Sequence, residues 1–244
     1  MTLDELIAAS GPLLRDHGWA FYFTPETRAR GAELGLDPMQ FYVLGRGGVL
    51  GDVDASVVAS AFGYFKPALI AGVWNAAREK VSPRDAGREF MACCAAHGRA
   101  KLGAVDGLAE FVAAAEKVNA AADPDALALY AATAAEPLAD DLPARAMQLV
   151  TVLREHRGSA HLVAVRAVGL DSRTAHHAKR PDDAKMFGWA PDEAPVVDDL
   201  VQAKMAEAET LTDRIVAPAF AVLDEAERDA FVHGLERLAA ALAA

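Results

Sequence analysis

Cysteine is nearly missing from this chain. There are two in 244 residues, and they adjoin as Cys93-Cys94. Neighbours on a helix diverge by about 100°, so they cannot close an ordinary disulfide. With His97 they offer an incomplete ligand set, and no second Cys/His group stands at zinc spacing. Neither a disulfide framework nor a metal site is expected, and the two thiols read as reduced and buried, as in a cytosolic protein. Aromatic residues make up only 7% of the chain, which suits thin helix–helix interfaces better than a β-sandwich. Basic residues are also short, with 24 Lys and Arg against 35 Asp and Glu and a net charge of −11. Such a chain has no overall attraction for phosphate backbones, and DNA binding would need a local basic patch. No uncharged apolar run approaches the length of a membrane span. The opening Met1-Thr2-Leu3-Asp4-Glu5-Leu6 lacks the basic start of a signal peptide, so a cytoplasmic protein is expected. There is no nucleophile elbow, phosphate-binding loop or dinucleotide fingerprint, and no cofactor is expected.

Apolar residues are plentiful, at 53% with a mean hydropathy of +0.12. Alanine supplies much of this and favours closely packed helices. Helix starts recur along the chain: Thr24-Pro25-Glu26, Asp37-Pro38, Pro67, Ser82-Pro83-Arg84-Asp85, Asp123-Pro124 and Asp224-Glu225-Ala226-Glu227. No segment shows convincing period-2 alternation. The one strand-like fragment, Gln40-Phe41-Tyr42-Val43-Leu44, follows a helix start and reads as helix. The expected fold class is all-α, a multi-helix bundle. Gly45-Arg46-Gly47-Gly48-Val49-Leu50-Gly51 reads as a glycine-rich turn, and the stretch from Lys179 to Pro191 as a long polar loop. A division into helical subdomains 1–120 and 121–244 is expected, or one continuous domain. A short echo between Gly45-Arg46-Gly47-Gly48 and His156-Arg157-Gly158-Ser159 leaves duplication and coincidence both open.

The segment Leu153-Arg154-Glu155-His156-Arg157-Gly158-Ser159-Ala160-His161 breaks an otherwise apolar helix. Arg154, Arg157 and His161 fall within about 60° of one another on the helical wheel, on the stripe that carries Met147, Val150, Val165 and Val168. Burying them unpaired is costly, so they require internal carboxylates or a bound anion. With a ligand, arginine would act as a bidentate clamp and His161 would give or take a proton. His156 lies about 140° from His161, too far round for both to hold one metal. Either histidine is a candidate general acid or base. Arg46, in its glycine-rich setting, is a further candidate ligand contact or part of a tight turn. Arg173, His176, His177, Lys179, Arg180 and Lys185 form the one local basic concentration. Of these, Arg173, Lys179, Arg180 and Lys185 are candidate DNA contacts, diluted by Asp171, Asp182 and Asp183. Phe62, Tyr64, Phe65 and Trp74 surround Pro67, as core or as an aromatic pocket.

Motifs in order along the chain carry a family likeness. They are Tyr22-Phe23-x-Pro25-Glu26, Gly45-Arg46 with Leu50-Gly51, Phe62-x-x-Phe65-x-Pro67-Ala68-Leu69, Leu153 to His161, Gly169-Leu170-Asp171, Gly188-Trp189 and Leu211-Thr212-Asp213-Arg214. With these the chain resembles an actinobacterial group of helical proteins labelled SalK-like or helix-turn-helix. The resemblance implies a helix-turn-helix fold whose C-terminal part is similar to MarR-type winged helices, with terminal helices that form a homodimer. It departs from the group after Gly188-Trp189, where the wing signature is missing and Pro195 stands where relatives carry a helix. The resulting expectation is a helix-turn-helix-derived protein, regulatory in kind, that binds a small anionic or carbonyl-bearing ligand through Arg154, Arg157, His161 and Arg46. The alternative is an enzyme that uses His161 or His156 beside an Arg-bound anion.

Overall fold

The computed structural model describes residues 1–243, and among them there are twelve α-helices and no strand. Helix α1 (Leu3–His17) opens with a capping box in which Thr2 Oγ1 and the Glu5 carboxylate each accept the other's backbone N–H. The Thr-Pro and Asp-Pro signals start α2 (Pro25–Glu33) and α3 (Pro38–Gly48), each with the side-chain oxygen before proline accepting a first-turn N–H. Then follow α4 (Ala55–Phe62), α5 (Pro67–Arg78), α6 (Pro83–Leu102, capped by Ser82) and α7 (Leu108–Ala121). After α8 (Ala128–Ala134) come the long α9 (Leu142–Ala167), the short α10 (Ser172–Lys179), α11 (Asp199–Phe220) and α12 (Glu225–Ala243). Asp224 and Glu227 close the last capping box.

The structure corrects two local expectations. Gly45, Arg46, Gly47 and Gly48 belong to the last turns of α3, and the turn begins only at Val49. Glycine is there for close approach rather than for turning. A Cβ on Gly45 would press into Phe90, and one on Gly48 would overlap the Pro83 carbonyl of α6. Asp123-Pro124 does not start a helix. Asp123 Oδ1 accepts the Asp125 N–H, Ala126 takes φ +64°, and α8 begins at Ala128. The fragment Gln40–Leu44 is helical, as its helix-start context requires.

Helix α9 is the axis of the molecule. It packs against α1, α6, α7, α8 and α11, and its first half is buried nearly all round, from Ala144 to Leu153. That enclosure explains why a clean amphipathic stripe is weak in this helix. One apolar core runs from Leu6 to Leu238, so residues on both sides of position 120, at the end of α7, pack together. A smaller cluster of Ala164, Val165, Leu170, Ala175, Met205 and Ala208 joins the end of α9 to α10 and α11. Cys94 lies in the core 3.3 Å from Thr151 Oγ1, and burial pushes its thiol up to about 12; Cys93 is half-buried, and both are unbridged. Among the described residues no His, Cys, Asp and Glu cluster suits a metal, and no helix is long and apolar enough to cross a membrane.

Candidate ligand-binding site

The second half of α9 turns a polar stripe toward a cavity of about 180 Å³. Arg154, Arg157, Gly158 and His161 lie at the i, i+3, i+4, i+7 spacing that shares a helix face. Helix α1 and its C-cap make room for the arginines with two glycines, Gly11 and Gly18. Side-chain atoms of Arg154 lie 2.5 Å from where a Gly18 Cβ would stand, and Arg157 Nε lies 3.1 Å from that of Gly11. A Cβ on Gly158 would meet nothing within 4 Å, because that part of the helix faces the opening.

Glu155 is the internal companion of two arginines. Arg46 from α3 grips it with two parallel bonds, Nε to Oε1 at 2.9 Å and Nη2 to Oε2 at 2.8 Å. Arg154 Nη1 donates to the same carboxylate at 2.8 Å, and the Tyr22 hydroxyl at 3.0 Å. Arg46 also donates to the Tyr42 hydroxyl at 3.1 Å and lies 4.3 Å over the Phe62 ring. Burial by itself would raise the Glu155 carboxyl, but Arg46 and Arg154 outweigh it and bring the group down to about 2. This knot is closed except at Arg154 Nε, which is buried without a partner.

Arg157 is answered from α11. Its Nη2 donates to Glu209 on α11 at 3.0 Å and sits 3.2 Å from Asp213 Oδ1, while Nη1 is buried without a partner. Lys179 pairs with the same Glu209. Burial works to raise the Glu209 carboxyl, yet Lys179, His161 and Arg157 hold it below the ordinary range. His161 Nδ1 lies 2.9 Å from Thr212 Oγ1. Burial, with the charges of Lys179, Arg157 and Arg15, brings this imidazole down to about 4 despite Glu209.

Six cationic side chains line the cavity (Arg15, Arg46, Arg154, Arg157, Lys179 and Arg180) against two carboxylates, Glu155 and Glu209. The rest of the lining is largely aromatic and aliphatic: Phe62, Tyr64, Phe65, Leu162, Phe187 and Met205, with the His176 ring tilted against Phe187 at 4.1 Å between centroids. Trp74, by contrast, is fully buried core.

The aromatic wall is tied to the short turn between two consecutive helices. Helices α4 and α5 are joined by Gly63-Tyr64-Phe65-Lys66, with φ near +59° at Gly63 and +56° at Tyr64. A Cβ on Gly63 would overlap the end of the Leu162 side chain of α9. The segment after α10 clamps this turn. Phe187 O accepts the Lys66 N–H at 2.9 Å, Trp189 Nε1 donates to Tyr64 O at 2.7 Å, Phe187 stacks on Phe65 at 4.1 Å, and Lys66 pairs with Glu193 at 2.7 Å.

The sequence candidates separate as follows. Arg46, Arg154, Arg157 and His161 meet at the cavity. His156 does not: it is buried against Tyr130, with ring centroids 4.7 Å apart. Of the basic cluster, Lys179 and Arg180 line the cavity, Arg173 lies over the Trp189 ring, and Lys185 is exposed. Glu209, Arg15, Tyr42 and Phe187 were not foreseen. No local spacing marks them, because each reaches the cavity from a different helix or loop. Tyr22 and Thr212 stood inside the family-like motifs without an assigned role.

A family model described as a helix-turn-helix family matches residues 13–244. The chain belongs to this helix-turn-helix family. No curated protein and no solved structure matches it. The matched residues include both α4–α5 and the α9 stripe.

Proposed function

We propose that this helix-turn-helix family member is a ligand-responsive regulator that binds a small organic anion in the cavity between α3, α4, α9, α10 and α11. The observation that carries the reading is the excess of six cations lining an aromatic-walled cavity over the four carboxylates that line it or pair with them (Glu155, Glu209, Asp213 and Asp16), in a chain whose net charge is −11. Against that overall charge, a local positive excess is a feature of the site and not of the composition. Arg157, with one buried nitrogen unanswered, is the anchor for the ligand's anionic group. Arg154 and Arg46 hold the site's floor through Glu155 and contact the ligand secondarily. The clamp between residues 187–193 and the α4–α5 turn is the route by which occupancy reaches the helix-turn-helix unit.

An acid–base enzyme is the less favoured reading. His161, at about 4, is a weak base at neutral pH, and His156 lies outside the cavity.

Thermal-shift screening of a panel of small organic acids tests the proposal. Wild type is expected to be stabilised by some of them in a concentration-dependent way. Arg157→Ala is expected to lose the response. Gly158→Leu is expected to lose it while keeping wild-type melting, because leucine at this open helical position enters the cavity mouth and also improves helix propensity. A response retained in both variants removes the cavity as the binding site.

DNA is the proposed output of the α4–α5 unit. The exposed residues of α5 (Pro67, Ala68, Gly72, Asn75 and Ala76) include no cation, Arg78 is paired with Asp52, and the exposed Lys80 just beyond the helix is bonded to Gly35 O and Gln40. Electrophoretic retardation of genomic fragments is therefore expected only at low salt. Its complete absence there removes DNA from the proposal.

A further inference from the structure

The orientation of one hydrogen bond narrows what the cavity accepts. Thr212 Oγ1 lies 2.7 Å from Ala208 O, one turn back on α11, and 2.9 Å from His161 Nδ1. A hydroxyl has one proton. Two oxygens at 2.7 Å attract only with that proton between them, so Thr212 donates to Ala208 O. Thr212 is fully buried, and it must then accept from His161. Nδ1 therefore carries the imidazole proton, and Nε2 presents a lone pair with no partner among the described residues. Arg157, Lys179 and Arg15 disfavour a second proton on the ring, and Glu209, the carboxylate that would favour it, is already bonded to Arg157 and Lys179. Glu155 and Glu209, the carboxylates that line the cavity, are engaged by arginine and lysine. His161 Nε2 is thus an acceptor held among the cations of the cavity, whose lining also includes His176 with its Nε2 buried and unpartnered.

Resting on the ligand reading above, we propose that His161 Nε2 is a specificity-determining acceptor, that Thr212 is the positioning residue that fixes its tautomer, and that the ligand is an organic acid also bearing an O–H or N–H donor. The anionic group meets Arg157, the apolar body lies against Phe65 and Phe187, and the donor reaches His161. An acid lacking the donor leaves Nε2 desolvated and unpaired, which discriminates against it.

The test has two parts on the full chain. Nitrogen-15 NMR of the unliganded protein, with the His161 signals assigned by their loss in His161→Phe, is expected to show a protonated Nδ1 and an unprotonated Nε2 at neutral pH. The Nε2–H tautomer would overturn the proposal. Calorimetry then compares benzoate with the 2-, 3- and 4-hydroxybenzoates. At least one hydroxybenzoate is expected to bind wild type roughly fivefold to tenfold tighter than benzoate. In Thr212→Val and in His161→Phe the ratio of hydroxybenzoate to benzoate affinity is expected to fall to about one. Benzoate binding with no preference for any hydroxyl overturns this inference and leaves the anion site standing. A preference that survives in Thr212→Val overturns the positioning role. No binding of any of the four acids overturns both the inference and the reading beneath it.

Discussion

Glu155 shows how one buried carboxylate organises its surroundings. It is 2% exposed and holds Arg46, Arg154 and the Tyr22 hydroxyl, so three elements depend on its charge. Removing one partner from a buried charge network leaves the others uncompensated, at about 3–5 kcal/mol. Glu155→Gln is accordingly expected to lower the urea-unfolding free energy by about that amount, and a loss under 1 kcal/mol in equilibrium unfolding would contradict the network. Two guanidinium groups on the face of an apolar helix announce that carboxylates or a ligand must meet them. The neighbour Glu155 is visible in the sequence, but that it serves Arg46 across 109 positions is not. Glu209 was illegible for the same reason: it is an ordinary acidic residue of α11 until the fold brings it to Arg157.

Among the elements, the segment after α10 has the largest consequences. In sequence it is a polar loop between helices, with short 3-10 turns at Pro181–Asp183 and Pro191–Glu193. In the structure it closes one side of the cavity and grips the α4–α5 turn through Trp189, Phe187 and Glu193. Trp189→Ala removes the bond to Tyr64 O and the ring under Arg173. Hydrogen exchange is then expected to quicken across residues 184–194 and at the Lys66 amide, while α6 and α9 keep wild-type protection. Unchanged exchange at Lys66 would separate the loop from the α4–α5 turn. Helix boundaries followed closely from capping chemistry, except where Asp123-Pro124 formed a turn and where the glycines of α3 served close packing. Both exceptions have local signals with two uses: aspartate before proline caps a turn as well as a helix, and glycine permits approach as well as reversal.

For the molecule as a whole, the buried histidines set the response to acid. Burial brings His156, His161 and His176 each to about 4, below the ordinary value near 6.5. A depressed value means that the unfolded chain binds protons the folded chain refuses. Stability is therefore full above about pH 6.5 and is lost progressively as pH falls toward 4. Glu155, at about 2, stays charged throughout that window, and its contribution fades only below the ordinary carboxylate value. The urea midpoint is expected to be level above pH 7 and to decline between pH 6.5 and 4. His156→Phe, which keeps an aromatic ring against Tyr130, is expected to make that decline shallower. A midpoint that rises on acidification would contradict the buried, neutral imidazoles.

The all-α class, most helix starts and the unusual character of the Arg154–His161 stripe were determined by the sequence alone, because capping, helical periodicity and the cost of burying charge act over a few residues. Which carboxylates answer which arginines, that Lys179 and Arg180 line the cavity, that His156 faces Tyr130, and that Thr212 orients His161 were decided only by tertiary structure. Each of these depends on which helices surround α9, and that arrangement comes from the packing of the whole core.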